Sequence, residues 1–342
     1  MSTTGSPGLR TRTRRTNLTR TDGTWSALLL DVRERPRPGL CPRTAANRLL
    51  LTQGATAVPL LLALVDPDRH GVDFYRTGRY RPLVPPLRAQ MARAFGGSRQ
   101  RWAHHFAALL AASPDSPLHD GRWVLSPDPL LLRPNHRGVP QGEYWRELLV
   151  EGDPDGYMDW FIHNGSWEIL PLRAMPDADD SRVKAYRKQA RDGTLPPVLL
   201  WWVSGLDSYL VLDGHARLAA AMAESVEPAV LELRRTVPQD EVDTGTERAV
   251  ATYAAELARF TELRAAQGPT VPDGAEFAGP ALARRLDELR TAHRPTWAWP
   301  LPGGLREWRR IAREQVGEGD GSTCEGGRCV ELGATVSRAL EA

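Results

Sequence analysis

The chain has 342 residues, 41% of them hydrophobic and 25% charged, which is the balance of a globular protein too long for a single ordinary core. A formal net charge of +2 calls for no polyanionic partner. No apolar run approaches the roughly 18 residues of a membrane helix, and the longest, 57–65, is interrupted by Pro59. No apolar block with a cleavage site follows the basic start, so the expectation is a cytoplasmic protein without membrane association. Only Lys184 and Lys188 are lysines, and the other basic side chains are arginines. With abundant Ala, Gly and Pro, this matches a GC-rich bacterial genome, so arginine abundance alone argues little for phosphate binding.

Residues 1–24 are rich in Ser, Thr, Gly and Arg and read as a disordered basic arm. Two readings stand for Arg10, Arg12, Arg14, Arg15 and Arg20: a solvated tail or a nucleic-acid contact. Residues 25–32 have the apolar density of a strand or short helix, ended by Pro36, Pro38 and Pro42. Residues 44–64, with Leu49, Leu50, Leu60, Leu61 and Leu64, read as one or two helices. Residues 87–112 read as a helical region split at Gly96-Gly97. His104 and His105 within it point about 100° apart and are poorly placed to share a metal. Residues 113–142 read as loop with at most a hairpin, and 143–150 as a short helix. The whole of 25–152 is therefore expected to be mainly helical. Gly152-Asp153-Pro154-Asp155-Gly156 marks a turn and a domain boundary.

The next stretch is the most informative. Residues 167–172 read as a strand, and 182–191 as a helix capped from Asp179-Asp180-Ser181 and stopped at Asp192-Gly193. Residues 198–203 read as a strand buried on both faces, and 209–212 as its hairpin partner. That partner strand runs through Asp213-Gly214-His215-Ala216-Arg217 into a helix over 218–224, and a last strand covers 228–233. A strand that enters a helix through glycine leaves backbone N–H groups unpaired at the helix start, where an anion is favoured. Gly214 permits close backbone approach, and Arg217 can fork onto a phosphate. His215 can donate to a phosphate or move a proton, and Asp213 can activate a hydroxyl or hold a metal. The alternative is structural: a turn at Asp213-Gly214, a polar cap at His215, and Arg217 paired with a carboxylate such as Glu168.

In order, Ile169-Leu170-Pro171, Asp192-Gly193, Leu195-Pro196-Pro197-Val198-Leu199 and Tyr209 to Ala221 resemble the N-terminal domain of ParB proteins and their sulfiredoxin-like relatives. The resemblance covers residues 168–234, about a fifth of the chain. It implies an α/β module, set within an α+β chain whose flanks are mainly helical, with a nucleotide held at the loop-helix junction. Gly214, His215 and Arg217 would bind phosphates. The free-serine-kinase branch, with its Asp-Gly-His motif, implies phosphoryl transfer from a nucleoside triphosphate or diphosphate with Mg2+ to a small hydroxyl acceptor. Asp213, His215, Asp179 and Asp180 would then be the catalytic candidates. The departures are Ala216 where that branch has a second histidine, and short aspartates where it has a glutamate base. No cysteine lies in the module, against sulfiredoxin chemistry.

Helices are expected at 246–267, 279–293 and 305–316, with a link at 268–278 too long for a helix-turn-helix turn; DNA partitioning is disfavoured. Trp297, Trp299 and Trp308 are read as sealing helices onto the module, with base stacking or a partner surface as the alternative. Cys324 and Cys329 fit free thiols in a Gly-rich tail, a local disulfide or half a metal site. No complete metal site is legible. The module as a nucleotide-dependent phosphotransferase and as a non-catalytic nucleotide sensor, with a protein or nucleic-acid partner on its flanks, are both carried forward.

Overall fold

A computed structural model describes residues 12–20, 22–66, 70–129, 131–132, 135–150, 152–160, 168–268, 270–291 and 294–316. The chain divides into two units, one running to Leu233 and resuming at Pro295, the other Arg234–Arg294.

The first unit opens with β1 (Arg12–Thr19), β2 (Trp25–Arg33), β3 (Leu40–Ala45), β4 (Arg48–Gln53), β5 (Val58–Asp66) and β6 (Gly71–Arg76). Helices α1 (Ala89–Phe95) and α2 (Arg99–Ala112), strand β7 (Gly121–Ser126), helix α3 (Gln141–Leu148) and strand β8 (Asp155–Asp159) follow. Then come β9 (Ile169–Pro171), α4 (Ser181–Arg191), β10 (Val198–Val203), β11 (Ser208–Asp213), α5 (His215–Ala223) and β12 (Val230–Arg235). The second unit is a hairpin of α6 (Gln239–Gln267) and α7 (Gly274–Thr291). The chain returns to the first unit with β13 (Trp299–Pro300) and α8 (Gly304–Val316). The architecture is α+β with two mixed sheets.

The larger sheet has the order β1-β2-β7-β12-β10-β11-β9, and the smaller β13-β3-β4-β5-β6-β8. The element order expected over 167–233 is present as β9-α4-β10-β11-α5-β12. These strands are continuous with β7, β2 and β1, so no separate sheet closes at the expected boundary near residue 153. Strand β8 begins there instead and pairs with β6.

One large cluster joins the facing surfaces of the two sheets with α1 and α2. It includes Leu28, Leu30, Leu49, Leu51, Leu61, Phe74, Trp102, Phe106, Trp123, Trp201 and Leu210. Across the larger sheet, Val198, Leu200, Trp202, Tyr209 and Val211 pack against Tyr144, Trp145 and Leu148 of α3 and Leu218 of α5. On the far side of the smaller sheet, Leu50 and Leu62 meet Trp308, Ile311 and Ala312 of α8.

Three expectations are corrected. Residues 44–64 are not helices but the meander β3-β4-β5, paired antiparallel with Leu50 opposite Leu62 and Leu51 opposite Leu61. Burial on both faces replaces the polar–apolar alternation that marks a half-buried strand with a continuous leucine run. The expected mainly helical 25–152 is therefore two sheets' worth of strands with three helices. Residues 12–19 of the expected disordered arm form β1, an edge strand paired along its length with β2. Its Thr13, Thr16 and Thr19 favour extended backbone, and its arginines guard the unpaired edge.

The expected split of the helical region at Gly96-Gly97 is present. Gly96 ends α1, and Ser98 caps α2 by accepting from the Arg101 N–H. The Trp308 indole is buried against the smaller sheet and donates to the Leu49 carbonyl at 3.2 Å, so it seals α8 there and not onto the module. Trp299 stacks edge-on against His119, whereas Trp297 is 57% exposed. Arg10, Trp167, Cys324 and Cys329 lie outside the described residues. Among the described residues no helix is long and apolar enough to cross a membrane.

Candidate functional site

Strand β11 delivers Asp213, and the chain turns into α5 through Gly214 at φ +104°, the left-handed region. Gly214 is the N-cap and offers no side-chain oxygen, so nothing from it caps the first turn. The first intrahelical bond runs from the Leu218 N–H to the Gly214 carbonyl at 2.8 Å. The N–H groups of His215, Ala216 and Arg217 precede it and have no carbonyl within the helix. A Cβ at residue 214 would stand 2.9 Å from Arg217 Nη2 and 3.1 Å from Val198 Cα, so only glycine fits this approach of two backbones.

This helix start is buried. His215 is 1% exposed, Arg217 3% and Ala216 9%. Arg217 Nη2 donates to Asp213 Oδ2 at 2.6 Å and to the Pro197 carbonyl at 2.9 Å. The expected phosphate fork is thus already engaged within the protein. Its carboxylate partner is Asp213, four residues earlier, and not Glu168. Asp213 in turn is held as an acceptor, with its side chain 13% exposed.

His215 is different. Its Nε2 is buried and meets no hydrogen-bond partner. Burial, with Arg173, Arg217 and Arg76 close enough to repel a proton, pushes its pKa down to about 3. At neutral pH it is an uncharged imidazole among guanidinium groups. Arg217 Nε and Arg76 Nε are also buried without acceptors. Arg76 is anchored by donating to the carbonyls of Gly152 and Pro171 and by Asp153 Oδ1 at 3.3 Å. Arg173, just after β9, is half-buried and has no ion-pair partner among the described residues. Tyr80 closes another side: its ring lies 6.4 Å from the His215 ring, and its hydroxyl donates to the Leu212 carbonyl at 2.6 Å. Burial, and then the Asp213 charge, push the Tyr80 pKa up, so the phenol keeps its proton.

The two remaining catalytic candidates do other work. Asp180 caps α4, accepting from the Arg182 N–H at 2.7 Å and the Val183 N–H at 3.4 Å. Asp179 is 93% exposed at its side chain and pairs with Lys184 at 3.1 Å. Neither has a contact with Asp213 or His215. Sequence reasoning passed over Arg76, Tyr80 and Arg173. They come from outside the local motif, and only the topology brings them to it.

The donor set fits a phosphate. It combines a helix start without a side-chain cap, buried Nε–H groups of Arg76 and Arg217 without acceptors and, among the described residues, a guanidinium without an ion-pair partner at Arg173. It does not form a cage for a cation: among the described residues no three His, Cys, Asp or Glu side chains cluster as metal ligands. A magnesium ion arriving here would rest chiefly on its ligand's own phosphate oxygens and water, as that ion commonly does. Comparison of the chain with protein-family models, curated proteins and solved structures finds no match in any of the three.

Proposed function

We propose that the start of α5 binds the phosphate group of a nucleotide and that the protein reads this ligand without turning it over. The observation that carries the reading is the buried, unpartnered His215 Nε2 beside an α5 start without a side-chain cap, with Arg173 unpaired nearby. The N–H groups of His215 and Ala216 would donate to the phosphate oxygens, and Arg173 would supply the charge. The neutral His215 donates one hydrogen bond in a suitable tautomer. Gly214 permits the left-handed turn and the close approach to Val198, and Arg217 holds the loop shape through Asp213. The resemblance of residues 168–234 to ParB-type domains supports a nucleotide as the phosphate's carrier.

Phosphoryl transfer to a small hydroxyl acceptor is the second reading, favoured by the Asp213 carboxylate that immediately precedes these amides. It stands behind binding because Asp213 is engaged by Arg217, and a histidine with a pKa of about 3 is a weak base.

The test is thermal stability against a panel of nucleotides, with and without magnesium, in the wild type and in Arg173→Gln. A ligand at about 100 times its dissociation constant adds about 2.7 kcal/mol, several degrees of Tm at this size. The proposal expects a shift in the wild type that Arg173→Gln reduces, and no nucleotide consumption. Equal shifts in both proteins, or none with any nucleotide, would remove the phosphate site. Turnover in the presence of hydroxyl acceptors would establish the second reading.

A further inference from the structure

The hairpin of α6 and α7 leaves its apolar surface uncovered. None of the 29 residues of α6 is buried, although Val250, Tyr253, Leu257 and Phe260 recur at helical spacing. Phe277 of α7 is 64% exposed and Val250 48%. The two helices do meet: the rings of Phe260 and Phe277 are 5.1 Å apart, and Leu289 packs where Gly245 has no side chain. Between these contacts runs a cleft of about 520 Å3. Its walls combine small side chains, Ala249, Ala278 and Ala281, with Arg248 and Glu256. Neither Arg248 nor Glu256 has an ion-pair partner among the described residues.

We infer that this cleft is a self-association surface, and that its occupant is α6 of a second copy of the chain, lying antiparallel. Charge complementarity under two-fold symmetry selects this occupant. Thr252, which also lines the cleft, is four residues from Arg248 and four from Glu256. Antiparallel α6 helices crossing at Thr252 place Arg248 of each copy against Glu256 of the other, twice over, as an isologous contact requires. Parallel helices would set Arg248 against Arg248. The alanine-lined walls let a second helix approach closely, and Phe277 and Tyr253 supply apolar contact. At 1.5 Å per residue α6 is about 43 Å long, so the hairpin face offers on the order of 700 Å2 per copy, near the standard for a stable interface.

Full-length protein is weighed in solution by sedimentation as wild type, Arg248→Glu, Glu256→Arg and the double reversal. The wild type is expected to be dimeric at micromolar concentration. Each single reversal creates two like-charge contacts and weakens the dimer by about tenfold or more, and the double reversal restores it. A monomeric wild type, a dimer indifferent to either reversal, or a double reversal as weak as the singles would overturn the inference. Thr252→Cys, in a chain with Cys324 and Cys329 changed to Ser, tests the crossing point separately and decides alone should a reversal unfold the hairpin. It is expected to oxidise to a disulfide-linked dimer while Glu247→Cys, outside the cleft, does not. Failure of Thr252→Cys to link, or equal linking of both, would overturn the proposed crossing.

Discussion

Helices α4 and α5 pack against one another through Val183, Ala216, Ala219 and Ala220, yet their first turns are treated in opposite ways. The start of α4 is exposed and capped by Asp180, which accepts from two backbone N–H groups. The start of α5 is buried and has a glycine where the cap would be. A helix terminus in water needs little help, because water satisfies its donors. A terminus sunk in protein without a cap leaves donors that something else must meet. This contrast is the reason the proposed ligand is assigned to the start of α5 and not to that of α4. It also separates Asp180, a structural cap, from Asp213, a carboxylate that holds Arg217.

The largest expected effect comes from breaking that ion pair. Asp213→Ala leaves the Arg217 charge buried without its partner and is expected to lower stability by about 3–5 kcal/mol in chemical denaturation. A loss below about 1 kcal/mol would mean that Arg217 finds another acceptor.

Next in size is the acid side of the stability profile. His215 binds fewer protons folded, with a pKa of about 3, than unfolded, near 6.5. Between these values the unfolded state takes up the proton, so stability falls as pH drops from about 6.5 toward 3. The slope from this one group approaches about 1.4 kcal/mol per pH unit. His215→Gln does not titrate, and the difference between the two denaturation profiles should show that slope. Parallel profiles would contradict the burial of a neutral imidazole.

Gly214→Ala forces a side chain into left-handed backbone and against Val198, at an expected cost of about 2 kcal/mol. At Arg173 the prediction divides stability from binding. Arg173→Gln should stay within about 0.5 kcal/mol of the wild type in stability. It should weaken the nucleotide giving the largest thermal shift about tenfold by calorimetry, a loss of about 1.4 kcal/mol. The smallest effect is expected at the other helix: Asp180→Ala loses a cap and about 1 kcal/mol, with ligand affinity unchanged. Weaker ligand binding in that variant would blur the distinction between the two termini.

The elements around α5 were legible because local chemistry punctuates them. Asp180 precedes α4, Gly193 at φ +66° follows it, Pro196-Pro197 forces extension before β10, and Gly214 starts α5. The meander β3-β4-β5 lacked such help. Its leucines face a sheet on one side and α8 on the other, so no alternation appears, and leucine favours helix when read alone. Its turns pass through Ala46 at φ +53° and Ala57 at φ +50°, residues that rarely announce left-handed backbone.

The site divides in the same way. Gly214, His215 and Arg217 are contiguous and were found together. The pairing of Arg217 with Asp213 was not anticipated, because Asp213 lies before the helix and the i to i+4 rule applies within one. Arg76 and Tyr80 lie more than a hundred residues away and carry no motif of their own. They reach His215 only because the two sheets share one core.

The central claim is tested most directly by following the backbone amide resonances of Gly214, His215 and Ala216 while a nucleoside triphosphate is added. Binding at the helix start predicts saturable shifts concentrated at these amides, with those of Arg182 and Val183 at the start of α4 unmoved. Saturable binding that leaves the three amides in place, or no binding by any nucleotide, would contradict the account.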